Sequence, residues 1–399
     1  MKTKITFKII NALLVCLAVS LALASCKKQS DAAETPAKNE PLALTAESET
    51  AAFLAGAPLP EGSELAEYAK SAAYKRYAAD LETGWNKFQK PNLDKMRKWW
   101  ETHATDRIEN SIMYPFSGPD IMNVLAFFPN GDTYTMFGLE TPGAVPNLKS
   151  MSQQQIEKGL SAIRQSLNSI LHVNFFRTES MARDVGKSPL NGITSLVMIF
   201  LVKEGCTVYD VRKIAIDAES NISPWIESDD KIDWQRPPKS RRIPGVEITF
   251  RRGEGKLQTV RYFMLNVIDQ ALSEHSPNFI PYLMKQAPCS TFIKSASYLM
   301  HNDKIKFTQI RKAILDASTS IVEDDSGVPL RYLKTDEWNT TFHGVYTQPI
   351  GLFANRAQKD LRQAFKDKST GVLPFSYGYD YQAGQSNLII AEKIKKDGK

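Results

Sequence analysis

Residues 246–267 read VEITFRRGEGKLQTVRYFMLNV, and this stretch predicts a β-hairpin. In its first half Val246, Ile248 and Phe250 alternate with polar side chains, which is the period of a half-buried strand. A Gly-Glu-Gly turn follows at residues 253–255, and residues 257–267 return as a second strand. The chain therefore contains a sheet.

Further strands are predicted on both sides of this hairpin. Residues 133–139 (TYTMFGL) follow an Asn-Gly-Asp turn, and residues 206–217 are predicted to form another strand. A second hairpin is predicted around residues 324–327, where Asp-Asp-Ser-Gly separates two apolar segments.

Helices are predicted from apolar residues at helical spacing or from apolar runs of helical length. These helices lie within residues 45–110, 156–171, 190–204, 279–286, 291–301, 307–318 and 353–365. Segment 190–204 is too short to span a bilayer and predicts a helix buried in the core. Because strands and helices alternate without a regular βαβ rhythm, we expect an α+β fold. A helical region at residues 45–110 precedes a mixed body at residues 111–399, as two domains or as one.

The composition is that of a globular protein with a sizeable core. Hydrophobic residues make up 42% of the 399 residues and charged residues 24%. The net charge is +6, and three of the positive charges are lysines within the first eight residues. Basic residues are not spread over the whole chain as in a nucleic-acid-binding protein, so we expect no nucleic-acid partner.

The N-terminus has the three parts of a secretory signal peptide. Lys2, Lys4 and Lys8 precede an almost wholly apolar run at residues 9–24, which is shorter than the ~20 residues of a spanning helix. Small residues then lead to Cys26 in LALASCKKQS, residues 21–30. The alternative is an ordinary signal peptide whose cleavage site happens to contain a cysteine.

The segment Leu-Ala-Ser-Cys resembles the lipobox of bacterial lipoproteins. This resemblance implies cleavage after Ser25, a lipid on Cys26 and attachment to a membrane of the bacterial cell envelope, either the outer membrane or a periplasm-facing surface. Residues 1–25 are then the leader. Residues 26–44, which are polar and rich in Ala, Lys, Glu and Pro, are a flexible tether.

Two cysteines have an open role after export. Cys16 leaves with the leader and Cys26 carries the lipid, so Cys206 and Cys289 remain. They form a disulfide, which the exported compartment permits, or they are two separate buried thiols.

Two short strings place carboxylates beside turns. The first, YPFSGPD at residues 114–120, ends in Asp120, and the second, VEDDSGVPLRYL at residues 322–333, contains Asp324 and Asp325. These carboxylates are candidates for acid–base catalysis. The simpler interpretation is that Asp120 caps the following helix and that the other two occupy a hairpin loop.

His301 is the candidate general base, since an unperturbed imidazole titrates near neutrality. It ends the string KSASYLMH, residues 294–301, where a helix C-terminus would also favour it. The five histidines show no metal-ligand spacing, so we expect neither a metal site nor a cofactor.

Two other stretches suit ligand binding. A basic loop contains Arg241 and Arg242, although solvated charges explain it equally well. In FSYGYDY, Tyr377, Tyr379 and Tyr381 alternate, so a strand would place their rings on one face as a platform for a sugar or peptide. The alternative is that this stripe packs against a helix.

Taken together, YPFSGPD, KSASYLMH and DDSGVPLRY resemble segments of uncharacterised bacterial lipoproteins. The resemblance covers most of the body and implies a location but no activity. Two classes of function follow from the residues. The first, slightly favoured, is a non-enzymatic envelope protein that binds a glycan, peptide or partner protein. The second is a cofactor-independent hydrolase using Asp120, His301, Asp324 and Asp325.

The lipid anchor is testable in cells grown with a fatty-acid probe. We expect the wild-type chain to be labelled and Cys26→Ser to lose the label, because the thiol is the acceptor of the diacylglyceryl group. Cys16→Ser, which changes a cysteine inside the leader, is the matched control and should keep the label. Lipid incorporation in the Cys26→Ser chain would contradict the lipobox assignment.

Overall fold

The hairpin predicted at residues 246–267 is present. Its strands, Ile243–Arg252 and Leu257–Met264, pair antiparallel with Thr249 opposite Thr259. The structure is a computed structural model that describes residues 42–173, 190, 192–231, 242–302, 306–379 and 384–395. Cys26, Arg241 and Tyr381 lie outside the described residues.

The hairpin belongs to a ten-stranded sheet. The strands are β1 Ser111–Pro115, β2 Thr133–Gly138, β3 Cys206–Ile216, β4 Ile222–Pro224, β5 Ile243–Arg252, β6 Leu257–Met264, β7 Cys289–Ile293, β8 Ser318–Glu323, β9 Trp338–Gly344 and β10 Asn387–Lys393. Their order is β4-β3-β5-β6-β2-β1-β7-β8-β10-β9. The five central strands of the sheet are parallel to one another, in the order β6, β2, β1, β7 and β8. The strands on either side of them pair antiparallel.

Helices cover the sheet. The α-helices described are α1 Ala46–Leu54, α2 Ala66–Ala69, α3 Ala72–Phe88, α4 Asp94–His103, α5 Ile121–Phe127, α6 Gln153–Val173, α7 Thr194–Lys203, α8 Asp269–Glu274, α9 Phe279–Lys285, α10 Thr308–Ala317 and α11 Lys359–Lys368. The fold is therefore α+β, as predicted. Residues 43–399 form one compact unit. Among the described residues, no helix combines the length and apolarity needed to cross a membrane.

The core lies on both faces of the sheet. In β1, Ile112 and Tyr114 belong to one apolar cluster, whereas Met113 between them belongs to another, because successive strand residues point to opposite faces. Helices α1 and α3–α7 contribute to the first cluster, and α8–α10 contribute to the second. Helix α7 is almost wholly buried, which confirms the prediction for residues 190–204.

Two local predictions are wrong. Residues 291–301 are not a helix, because β7 occupies their first part and a short 3₁₀ turn, Leu299–His301, their last. A short apolar run fits a strand or a helix, and here pairing between two parallel neighbours selects the strand. The strand that would align the tyrosines of FSYGYDY is not formed by its described residues, 375–379.

The second predicted hairpin is also absent, although the turn around residues 324–327 exists. Gly327 N–H donates to the Asp324 carbonyl oxygen at 3.1 Å. The strands on either side of this turn do not pair, because β10 lies between β8 and β9 and pairs antiparallel with both. A strand from farther along the chain thus takes the place that a local hairpin would fill.

Cys206 and Cys289 are separate buried thiols and form no disulfide. The first begins β3 and belongs to the first apolar cluster, and the second begins β7 and belongs to the second cluster. Five interstrand spacings separate β3 from β7, which is about 24 Å at ~4.8 Å per strand. A disulfide requires Cα atoms less than about 7 Å apart.

Gly344 and Gly205 provide a matched test of backbone constraint. Both have positive φ, +92° and +77°, but a Cβ at Gly344 would overlap the Ser386 carbonyl oxygen, whereas a Cβ at Gly205 would meet no atom within 4 Å. We expect Gly205→Ala to lower the free energy of unfolding by about 1–2 kcal/mol. Gly344→Ala should cost roughly 1–3 kcal/mol more because of the overlap. Urea denaturation measures both, and equal losses would contradict this account of the β9–β10 junction.

Candidate functional site

The candidate site lies where the chain changes direction across the sheet. Strand β1 continues through α5 to β2 on one side, and its neighbour β7 continues through α10 to β8 on the other. Helix α5 packs in the first apolar cluster and α10 in the second, so the loops that leave β1 and β7 diverge to opposite faces. Such a switch point opens a crevice at the carboxyl ends of the strands, where open α/β sheets bind ligands.

A buried ion pair lies at this switch point. Lys294 follows β7 directly, and its Nζ lies 3.0 Å from Oδ2 of Asp120, which follows the loop after β1. The two side chains are only 1% and 6% exposed. Tyr114 Oη also donates to Asp120 Oδ2, at 2.9 Å, and Asn123 Nδ2 donates to Oδ1 at 2.6 Å. Asp120 precedes α5 without making the predicted side-chain cap, because its carboxylate accepts these hydrogen bonds instead.

Asp324 lies beside this pair at the end of β8. It accepts hydrogen bonds from the backbone N–H of Ser295, at 3.1 Å, and from the N–H and hydroxyl of Ser326. Ser295 is the residue after Lys294, so the loop after β7 contacts both Asp120 and Asp324. Burial and the nearby Asp325 raise the pKa of the Asp324 carboxyl to about 7, although the hydrogen bonds from Ser326 and Ser295 lower it.

Asp325 has a different set of partners. Tyr298 Oη donates to its Oδ2 at 2.6 Å, and Asn387 Nδ2 donates to its Oδ1 at 2.9 Å. Its own N–H donates back to Asn387 Oδ1 at 2.8 Å, which joins the turn after β8 to β10. We interpret Asp325 as a support for the turn that carries Asp324.

Tyr377 is a common neighbour of the carboxylates and is not a surface platform. Its phenol is fully buried and donates to the Ile293 carbonyl oxygen at 3.2 Å. Burial raises the pKa of this phenol well above its usual value, with further contributions from Asp324, Asp120 and Glu323. The phenol therefore stays protonated at neutral pH.

Tyr379 is buried as well. Its Oη donates to the Ser295 carbonyl oxygen at 2.6 Å and contacts Ser297 Oγ at 2.7 Å. The tyrosine pair at residues 377 and 379 thus holds the loop after β7 in place. The two described members of the predicted aromatic stripe offer no exposed binding surface.

His301 lies at the margin of this arrangement. Its ring centroid is 5.0 Å from that of Tyr298. Burial and the positive charges of Arg331 and Arg356 lower the pKa of the imidazole to about 3. At neutral pH His301 is therefore neutral and only weakly basic.

The backbone of the two diverging loops is strained. Phe116, Ser295, Ser297 and Tyr298 all have φ between +51° and +57°, a region that residues other than glycine rarely adopt. Ser220 is the other such residue in the described parts of the chain. Strain of this kind persists where the surrounding structure holds it and clusters at functional sites.

The remaining candidates lie elsewhere. Arg242 forms an ion pair with Asp229, with Nε 2.9 Å from Oδ1, so it stabilises a loop rather than presenting a free cation. Across the described ranges, no three His, Cys, Asp or Glu side chains form a group that could hold a metal ion.

Several residues of the crevice carried no clear signal in the sequence. Lys294 and Ser295 lie within residues 291–301, which are predicted to be a helix. Tyr114 belongs to the same string as Asp120, but the spacing alone did not show that their side chains would meet. A lysine at the end of a buried strand is the signal that points to such a pair.

The ion pair is testable by a double-mutant cycle with Lys294→Met and Asp120→Asn. We expect Lys294→Met to lower the free energy of unfolding by about 3–5 kcal/mol, because it leaves a buried carboxylate without its cation. The double variant should lose less than the sum of the two single losses. Urea denaturation gives all three values, and strict additivity would show that the two groups do not interact.

Comparison with known proteins adds no assignment for this chain. No family model matches it, and no curated protein and no solved structure is significantly similar to it.

Proposed function

We propose that this protein is an exported, lipid-anchored hydrolase of a bacterial cell envelope that needs no cofactor. The observation that carries the proposal is the ion pair of Lys294 and Asp120 at the switch point, beside the Asp324 carboxyl. A carboxyl whose pKa is about 7 exchanges a proton readily at neutral pH. Buried groups with shifted pKa values in a crevice are candidates for catalysis.

Asp324 is assigned the role of general base. Its carboxylate accepts a proton from a water molecule as the water oxygen bonds to the electrophilic centre of the substrate. The bond to the leaving group then breaks, and Asp324 returns the proton to that group. Water is the only co-reactant, so the step is balanced. His301 is not the base in this proposal, because its pKa of about 3 makes it too weak.

Lys294 and Tyr114 are assigned the role of stabilising negative charge in the transition state. Lys294 brings a positive charge to the carboxyl ends of β1 and β7, and Asp120 holds it there. Burial and the charge of Asp120 raise the pKa of the Tyr114 phenol, which therefore remains a hydrogen-bond donor. Donors held in place before the reaction stabilise the negative charge that develops in a hydrolytic transition state.

Substrate reaches this site from the loop after β7. Asp324 is 1% exposed, but Ser295 and Phe116 are half-buried and Ser297 is exposed. These residues form the outer layer over the carboxylates. They are also residues with positive φ, so the outer layer is the strained part of the site.

The binding hypothesis has less support. Two of its three tyrosines are buried and its described arginine is ion-paired, whereas Asp120 and Asp324 of the hydrolase hypothesis are both near enough to Tyr377 to raise its pKa. The location in the envelope rests on the lipobox, and the tether at residues 26–44 would hold the folded unit away from the membrane.

The activity is testable with purified wild-type protein and a panel of p-nitrophenyl esters, phosphates and glycosides. We expect hydrolysis of at least one class and a loss of about 100-fold or more in kcat for Asp324→Asn, because the amide cannot accept the proton. Asp336→Asn removes an exposed carboxylate on the surface and is the matched control. It should leave kcat unchanged.

The pH dependence adds a second readout. A general base works when deprotonated, so kcat of the wild type should rise with pH and level off above about 7. Any residual rate of Asp324→Asn should lack this rise. Equal kcat values for wild type and Asp324→Asn, or no hydrolysis of any panel member by the folded wild type, would overturn the proposal.

A further inference from the structure

Ser295 carries a hydroxyl group that the fold does not use. It is the second residue after β7, and its hydroxyl oxygen is buried with no hydrogen-bond partner among the described residues. Buried polar groups nearly always have a partner, so an exception calls for an explanation. Ser166 and Ser195 also have such hydroxyls, but they lie within helices α6 and α7, whereas Ser295 lies in the loop beside the carboxylates.

The backbone around Ser295 is held by three hydrogen bonds. Its N–H donates to Asp324 Oδ2 at 3.1 Å, and its carbonyl oxygen accepts from Tyr379 Oη at 2.6 Å. The next N–H, of Ala296, donates to Ser326 Oγ at 2.8 Å. These contacts hold Ser295 at a φ of +54°, which residues other than glycine rarely adopt. A serine held in a strained turn after a strand is one way in which hydrolases present a nucleophile.

Asp324 has an open acceptor position for this hydroxyl. Its Oδ1 accepts both the N–H and the hydroxyl of Ser326, whereas within the described parts of the chain its Oδ2 accepts only the Ser295 N–H. Each carboxylate oxygen can accept two hydrogen bonds. Rotation about the Ser295 Cα–Cβ bond moves the hydroxyl between staggered positions without moving the backbone. Ser326 already makes on Oδ1 the paired contact that this rotation would complete on Oδ2.

We propose that Ser295 is the nucleophile of this site and that the substrate is a carboxylic ester, an inference that rests on the proposed hydrolase function. Ser295 Oγ bonds to the carbonyl carbon of the ester while its proton passes to Asp324. The bond to the leaving alcohol breaks, the alcohol takes the proton, and an acyl group remains on Ser295. Water then bonds to the acyl carbon and gives a proton to Asp324, which returns it to Oγ as the acid leaves.

The position of Ser295 suits attack on a substrate better than that of Asp324. Asp324 is 1% exposed, whereas Ser295 is half-buried, so a substrate that approaches from the surface meets the serine first. A serine with an adjacent base attacks acyl carbon, whereas glycosidases generally use a pair of carboxyl groups. An ester is therefore favoured over a glycoside.

The nucleophile is testable by labelling the purified protein with a fluorophosphonate and locating the adduct by peptide mass spectrometry. We expect one adduct per chain, on Ser295, because the serine oxygen displaces fluoride from phosphorus. The reagent reacts only with a hydroxyl that it can reach, so labelling also tests access. Ser195→Ala, which removes a buried hydroxyl within α7, is the matched control and should be labelled like the wild type.

Ser295→Gly is the decisive variant. Glycine adopts positive φ without a steric cost, so this variant removes the hydroxyl and relieves the strain of the loop. Its circular dichroism spectrum should match that of the wild type. We expect it to lose the label and to lose about 100-fold or more in kcat for p-nitrophenyl esters. Asp324→Asn should be labelled about tenfold or more slowly, because the hydroxyl lacks its base.

Labelling does not require turnover, so it is read even where no ester of the panel is hydrolysed. Hydrolysis that depends on Asp324 but not on Ser295 would overturn this inference and leave the hydrolase proposal in place. A wild type without the label, an adduct on another residue, or the wild-type kcat in Ser295→Gly would also overturn it.

Discussion

The fold depends on one buried ion pair, in which Lys294 and Asp120 lie side by side in the interior. Neither Lys294 nor Asp120 is tolerable alone in the interior, since an isolated buried ion costs several kcal/mol. The pair therefore requires β1 and β7 to be neighbours, with their carboxyl ends at the same level. Tyr114 and Asn123 satisfy the remaining acceptor positions of the carboxylate.

The same constraint links the site to the crossovers. Because the helices after β1 and β7 pack on opposite faces, each loop must turn sharply away from the other while its polar residues remain in contact. The left-handed residues Phe116, Ser295 and Ser297 absorb this turn. Tyr377 and Tyr379 donate hydrogen bonds to the backbone at the end of β7 and in the loop after it. These two tyrosines are therefore buried, although they alternate in sequence like residues on one face of a strand.

The sequence pattern correctly predicted those helices and strands that are determined by residues close to them in the chain. The hairpin of β5 and β6 and the helix at residues 194–203 follow from period and apolar length alone. Strand β7 was missed, because a run as short as Cys289–Ile293 fits a strand or a helix until the neighbouring strands are known. Candidate carboxylates were identified singly, as turn residues. Their convergence with Lys294 depends on contacts across 174 residues, which no local pattern contains.

Because β10 lies between β8 and β9, this part of the sheet is completed only after the C-terminal strand has been synthesised. A chain that has emerged only as far as residue 379 has β8 and β9 but not the strand that joins them. Asp325 then lacks Asn387, and the turn that carries Asp324 stays open to water. Pairings of such high sequence separation form slowly. The catalytic centre proposed here would thus mature as one of the last events of folding, after most of the sheet is in place.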